Sequence, residues 1–192
     1  MAIAEAEIKS GLRMTEDEFM RIPKDGPGNP TAAKFELVDG RLLNVPTDWD
    51  HDLLGLKLIG LMLPLTYGRG FMSSGQTGFR MSGGNVRAPD VSYTRKERVP
   101  GGKPPKGFGT AAPDLCIEII SPSERQSDMR RKIDDYFDSG AQQVWHIFPE
   151  AQQVTIFTSP TESQTLNADA VLDAGDILPS FSCRVGDIFT TE

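Results

Sequence analysis

Three acids stand in stretches of β character. Glu118 interrupts the apolar, β-branched run Asp114–Ile120 (DLCIEII), Asp90 follows a proline at the start of Ala88–Thr94 (APDVSYT), and Glu36 lies among apolar neighbours in FELV. A near-continuous apolar run is the pattern of a strand buried on both faces. A carboxylate carried into such a strand needs a partner or a metal. A basic residue, Lys132, lies on the flank of the helical pattern that follows. A hard divalent ion such as Mg²⁺ takes one or two carboxylates plus water and phosphate oxygens. It lowers the pKa of a bound water and stabilises charge on an attacked phosphate, and a nearby ammonium steadies that charge. Glu36, Asp90, Glu118 and Lys132 are therefore a candidate set for metal-dependent phosphodiester hydrolysis. Spacing alone also allows Glu36 as an exposed hairpin acid, Asp90 as a turn cap and Lys132 as a flanking residue whose stem covers the core.

The elements that must position these residues centre on Pro113–Phe148, read as strand, turn, helix, strand. Along the first strand Asp114, Cys116, Glu118 and Ile120 share one face. Ser123 is the expected N-cap of the helix, with Gln126 completing a capping box. Met129, Ile133, Tyr136 and Phe137 form its apolar stripe, Arg130 and Arg131 point outward, and Gly140 ends it in a left-handed conformation. Gln143–Phe148 (QVWHIF) is a second buried strand, reached by a parallel crossover.

Earlier in the chain, the first ten or so residues are expected to be loose, and Thr15 caps a short helix, TEDEFMRI. Pro23–Pro30 is a turn-rich loop. Phe35–Val45 is a hairpin turning at Asp39-Gly40. His51–Tyr67 is a helix capped by Asp50, with Leu54, Leu58, Leu61, Met62 and Leu65 on its core face and Gly68 and Gly70 at its end. Gln76–Met81 and Ala88–Thr94 read as two strands joined by the Gly83-Gly84 turn. Strands at 151–158 and 163–167 and a short helix near Val185–Phe189 follow.

The chain has 192 residues and a formal net charge of −7. The length suits one domain over 1–192 with residues 1–13 as a loose tail. The acidic total weighs against tight nonspecific nucleic-acid binding by the whole surface. A local basic segment remains, with Arg87, Arg95, Lys96, Arg98, Lys103 and Lys106 against Asp90 and Glu97, most of them read as a solvated loop. Cys116 and Cys183 lack metal-ligand spacing. MAIAEAEIKS lacks the apolar core of a signal peptide, and no apolar run spans a bilayer, so a cytoplasmic protein is expected. His51 is assigned to the start of its helix, His146 to the core as a satisfied histidine, and Asp114 to strand entry. Neither histidine has a neighbouring nucleophile in sequence, which disfavours a Ser-His-Asp or Cys-His hydrolase.

The pattern Pro89-Asp90, then Glu118 in an apolar strand, then a lysine resembles the PD-(D/E)xK nuclease superfamily. More specifically, FELVDGRLL, APDVSY, PDLCIEIISPSERQSDMRRKIDDYFDSGAQQVWHI and DILPSF resemble the Uma-two family, a bacterial group of restriction-endonuclease-like proteins. The likeness runs from about Met14 to the C-terminus. It implies a mixed α/β (α+β) restriction-endonuclease-like core with flanking helices. It also implies Glu36, Asp90 and Glu118 as active-site acids and Lys132 as the basic residue. Asp90 and Glu118, with the Ile119 carbonyl, are then expected to hold Mg²⁺ or Mn²⁺. One departure is plain: the superfamily's lysine lies two residues after the acid, where this chain has Ile120, so Lys132 on the next helix must replace it. The expected activity is hydrolysis of DNA by a metal-activated water, with the basic segment steering the backbone and a homodimer expected by analogy. The rival expectations are a non-catalytic binding or assembly protein on the same fold and an enzyme acting on another phosphate ester.

Overall fold

The computed structural model describes residues 13–21, 34–45 and 48–190. The loop expected over Pro23–Pro30 and the loose first residues lie outside that set. The elements are α1 (Glu16–Met20), β1 (Phe35–Val38), β2 (Arg41–Asn44), α2 (Trp49–Thr66), β3 (Gly70–Ser74), β4 (Phe79–Arg80), β5 (Val86–Arg87) and β6 (Val91–Arg95), followed by β7 (Leu115–Ile119), α3 (Gln126–Asp138), β8 (Gln143–Phe148), β9 (Gln153–Phe157), β10 (Ser163–Leu166), β11 (Val171–Ala174), β12 (Leu178–Arg184) and α4 (Val185–Phe189). A six-stranded sheet has the order β10-β9-β8-β7-β6-β3. In it β7 and β8 run parallel, joined through α3, and the other pairs are antiparallel. A four-stranded sheet, β2-β1-β5-β4, carries the hairpin, and β11 pairs with β12.

Alternation along β7 divides the molecule. Leu115, Ile117 and Ile119 face one way, into a core with Leu58 and Met62 of α2, Trp145 and Ile147 of β8, and the C-terminal elements. Cys116 faces the other way, onto Ile133 and Tyr136 of α3. Glu118 shares the Cys116 face, so the acid points toward the helix that carries the lysine. Burial pushes the Cys116 thiol well up, consistent with a small apolar residue.

Some boundaries follow expectation and others differ. The hairpin turns at Asp39 and Gly40, both at positive φ (50° and 74°), which an Asp-Gly pair accepts. Helix α2 is capped by Asp48, whose carboxylate accepts the His51 amide at 2.9 Å. Asp50 instead falls in the first turn, where an acid favours the helix dipole. Within α2 Leu58 and Met62 are fully buried, while Leu61 stays 38% exposed. The Gly83-Gly84 turn joins β4 to β5 in the small sheet, whereas β6 pairs with β3 in the large one. Those two expected strands are thus separate elements, because Pro89 cannot continue a ladder. Strand β3 and the β11–β12 hairpin were not anticipated. Helix α3 starts at Gln126, with Arg125 at the cap position and no side-chain capping bond. Ser123 does not cap it: its hydroxyl meets Ser121 Oγ at 3.0 Å within a turn closed by Glu124 N donating to Ser121 O. That turn aims Glu124 back at Lys132. Gly140, at φ 95°, ends α3 as expected. Among the described residues no helix is long and apolar enough to cross a membrane.

Candidate functional site

Antiparallel pairing of β6 with β7 sets Val91 opposite Ile117. This brings Asp90, just before β6, beside the C-terminal end of β7. Asp90 Oδ2 accepts the Ile119 amide at 2.7 Å. Glu118 is 1% exposed. Lys132 Nζ donates to its Oε2 at 3.0 Å, and the Tyr136 hydroxyl donates to its Oε1 at 2.5 Å. Lys132 and Tyr136 lie four residues apart on α3 and so project from one face. Glu124 Oε1 lies 3.1 Å from the same ammonium. A buried lysine persists there because two carboxylates replace its water.

Glu36, also buried, sits on β1. Its Oε2 accepts Arg87 Nη1 at 2.8 Å and its Oε1 accepts the Ala88 amide at 3.1 Å. Arg87 Nε also donates to Asp135 on α3 at 2.7 Å. Glu36 therefore ties the small sheet to α3 and fixes the backbone two residues before Asp90.

Three participants escaped the sequence. Lys34 Nζ lies 2.5 Å from Asp90 Oδ1 with its side chain almost wholly buried. The signal was available, since Lys34 stands immediately before β1, two residues from Glu36, where extended backbone puts both on one face. The Tyr136 hydroxyl reaches Glu118 from a stripe read as apolar; a buried tyrosine hydroxyl needs a partner, which was the clue. His51 has two roles. Its main chain serves the start of α2, as expected, but its Nε2 lies 3.2 Å from Asp90 Oδ2 and 3.1 Å from the Ile119 carbonyl oxygen. No local pattern announces that second contact.

Burial alone would raise every carboxylate here, and the neighbours decide the outcome. Lys34 and His51 overcome it at Asp90 and hold that carboxyl well below the usual range. Lys132, Arg87 and Lys34 do the same for Glu36. At Glu118 complete burial prevails over Lys132 and Lys34, aided by the charges of Asp90 and Glu36, so its pKa is raised. Lys132 is raised too, because Glu118, Glu36 and Glu124 outweigh its own burial. The His51 pKa moves up as Asp90 outweighs burial. These groups border a cleft of about 750 Å³ that also reaches Arg13, Arg41, Arg125 and Arg131.

Three assignments change, and those of Arg130 and Asp114 hold. Arg131 does not point outward; it pairs with Asp39 across the cleft, because the hairpin folds over α3. Arg130 does face out, pairing with Asp134. The basic segment is not a groove beside the acids. Arg87 is buried on Glu36, and Arg95 and Arg98 bind Asp114 at the opposite end of β6 and β7. Lys103 and Lys106 are exposed in the loop beyond. Asp114, fully buried, accepts the Arg95 amide at 2.9 Å and Arg95 Nε at 2.8 Å, so it anchors strand entry and stays out of the cleft. His146, beside Glu118 in register, is not satisfied. Among the described residues its Nε2 has no hydrogen-bond partner, and burial, then Lys132, lowers its pKa to about 4.

The donor set fits a hard divalent ion. Asp90, Glu118 and Ile119 border one cleft, and their carboxylate and carbonyl oxygens are the donors such an ion prefers. Lys34 already sets one positive charge on Asp90. Among the described residues no three His, Cys, Asp or Glu side chains gather as a complete ligand set, so an ion held here would also need main-chain oxygen and water.

A search of curated proteins returns no match. A solved structure described as a "putative nuclease belonging to DUF820" from Anabaena variabilis superposes with a TM-score of 0.78 at 20% identity, over 92% of this chain and 97% of that one. At that identity it shows a shared fold, the mixed α+β core with few helices described above. The family model Uma2, described as "Putative restriction endonuclease", matches residues 16–186. That span takes in every acid and lysine of the cleft, and the chain belongs to the Uma2 family.

Proposed function

We propose that this chain is a divalent-metal-dependent endonuclease that hydrolyses DNA phosphodiester bonds in the Asp90–Glu118 cleft. The observation that carries this is the 3.0 Å contact between Lys132 on α3 and Glu118 on β7. A helix-borne ammonium reaches the acid that the strand position of Ile120 cannot serve. The family description and the nuclease-like fold support the same reading.

In this reading Asp90, Glu118 and the Ile119 carbonyl would hold Mg²⁺ or Mn²⁺. When bound, the ion lowers the pKa of a water and offsets phosphate charge. Glu118 is the acid that an added positive charge relieves most, since burial raises its pKa. Lys132 holds Glu118 in place and presents an ammonium to charge developing on the attacked phosphate. Tyr136 stays a protonated donor, because burial and the Glu118 charge push its pKa well up. Glu36 is a positioning residue, since both its oxygens are taken by Arg87 and Ala88. Arg13, Arg41 and Arg125, interspersed with Asp39, Asp48 and Asp128 in the cleft lining, are the side chains placed to meet the DNA backbone.

A non-catalytic binding role on the same fold is favoured by one observation: this chain's own lysines already neutralise both acids, Lys34 on Asp90 and Lys132 on Glu118. Calorimetry with Mn²⁺, paired with plasmid cleavage, separates the two. The endonuclease binds Mn²⁺, loses that binding in Asp90→Ala, and nicks DNA only with the ion. Unchanged Mn²⁺ affinity in Asp90→Ala, or metal binding with no cleavage of any nucleic acid, leaves the non-catalytic role.

A further inference from the structure

We propose that His51 Nε2 is a direct ligand of the divalent ion, beside Asp90 Oδ2 and the Ile119 carbonyl oxygen, and that this nitrogen makes the site prefer Mn²⁺ to Mg²⁺. The proposal rests on the metal-dependent reading of the same cleft. His51 Nε2 lies 3.2 Å from the carboxylate oxygen and 3.1 Å from the carbonyl oxygen. Adjacent ligands of an octahedral ion with bonds of about 2.1–2.2 Å are separated by about 3 Å. The nitrogen therefore stands from each of the two oxygens at the spacing of neighbouring ligands. Both oxygens are acceptors, so in the ion-free arrangement Nε2 must carry the hydrogen. A bound ion would replace that hydrogen, the ring being neutral with its proton on Nδ1. Lys34 engages the other oxygen, Asp90 Oδ1, and Oδ2 also accepts the Ile119 amide. The ring is placed by the first turn of α2, whose cap bond from the His51 amide to Asp48 fixes its backbone. Imidazole suits first-row transition ions, whereas Mg²⁺ favours an all-oxygen shell.

The test titrates Mn²⁺ and Mg²⁺ separately into wild type, His51→Ala, His51→Gln and Asp90→Asn, and records pulsed EPR of the Mn²⁺ forms. Gln can still donate an N–H to the two oxygens but is a poor metal ligand, so it preserves a purely structural role. The expected result is a nitrogen coupling in wild type that disappears in both His51 variants. Mn²⁺ affinity falls about 10- to 100-fold, and Mg²⁺ affinity falls less. Wild-type Mn²⁺ affinity in His51→Gln, an equal loss for both ions, or no nitrogen coupling in wild type overturns the His51 assignment. If Asp90→Asn still abolishes binding in those cases, the endonuclease reading stands without His51. If wild type binds neither ion, both fall.

A separate observation concerns the outer face of α2. Trp49, Leu53, Leu56, Gly60, Leu63 and Tyr67 run down one side at alternating spacings of four and three, a heptad-like stripe. Trp49 is 79% exposed, Leu56 63% and Tyr67 76%. The spacing reads the same in reverse. In an antiparallel pair, Trp49 would face Tyr67 of the second copy, Leu53 would face Leu63, and Leu56 would face Gly60. A Cβ placed on Gly60 meets nothing within 4 Å, so the surface there is open to a leucine. The exposed side chains of the stripe offer on the order of 600 Å² per copy, close to the roughly 800 Å² of a standard interface. We infer that two copies of this chain pair through α2 about a two-fold axis. Light scattering on the full chain tests this. Wild type should be a dimer, and Leu56→Glu a folded monomer by circular dichroism. A monomeric wild type, including one whose stripe is covered by its own chain, overturns the inference. So does a dimer that survives Leu56→Glu.

Discussion

Two Pro-Asp pairs open the two central antiparallel strands, and they do opposite work. Asp114, at the entry of β7, is fully buried and gripped by the Arg95 side chain and amide, with Arg98 near. Asp90, at the entry of β6, is almost as buried, but its partners are a lysine, a histidine and a main-chain amide, and it borders a cleft. At Asp114 one oxygen takes Arg95 Nε and the other the Arg95 amide, with Arg98 beside them, and a guanidinium does not give up its proton. Lysine and imidazole are point donors, each engaging one atom, and imidazole can exchange its proton for an ion. The same dipeptide thus ends as an anchor at one end of the sheet and as a candidate ligand at the other.

Substitutions can break this contrast. The largest effect is expected from Lys132→Met, which keeps most of the stem and removes the charge at the cleft end. The protein should fold and bind metal, and its cleavage rate should drop by roughly two or more orders of magnitude, measured as single-turnover nicking. Wild-type cleavage would make Lys132 structural. Arg130→Met, on the outer face beside Asp134, is the control and should leave the rate unchanged.

At the other end Asp114→Asn should act on stability. Removing one partner of a buried ion pair costs about 3–5 kcal/mol, and because Arg95 is partly exposed the lower figure is expected, read from urea midpoints. Folded Asp114→Asn should keep wild-type Mn²⁺ affinity. Loss of metal binding in the folded variant would join the two ends and end the comparison.

His146 sharpens the contrast through pH. Its pKa is about 4 in the fold, against about 6.5 unfolded. The unfolded chain therefore binds the extra proton between those values. The contribution of neutral His146 is complete above about pH 6.5 and is lost as pH falls toward 4. The loss amounts to roughly 3 kcal/mol. Unfolding curves of wild type and His146→Phe across that window should diverge in slope. Parallel curves would mean that the ring finds a partner in solution.

The smallest effect concerns DNA. Arg41→Ala and Arg125→Ala at the cleft should each reduce the salt slope of DNA binding by about one. Lys103→Ala and Lys106→Ala, in the loop beyond Asp114, should leave it unaltered. The reverse outcome would move the DNA path to the far end of the sheet.

Sequence alone carried the central unit. An apolar β-branched run with one acid, a helical stripe ending at glycine, and an Asp-Gly turn are local signals set by side-chain period and backbone sterics. They located β7, α3, β8 and the hairpin, and the family motifs picked out Glu36, Asp90, Glu118 and Lys132. Where those patterns were too short, as in β4 and β5, or where a turn consumed the cap at Ser123, local reasoning failed. Only the tertiary structure decided partners. Lys34, His51 and Tyr136 come to the acids from three separate elements, and Arg87, Arg95 and Arg98 leave a presumed basic stretch for buried carboxylates. The reason is physical: a local pattern says which face a side chain takes, but a buried charge is settled by whichever opposite charge the packing of distant elements brings within hydrogen-bond reach.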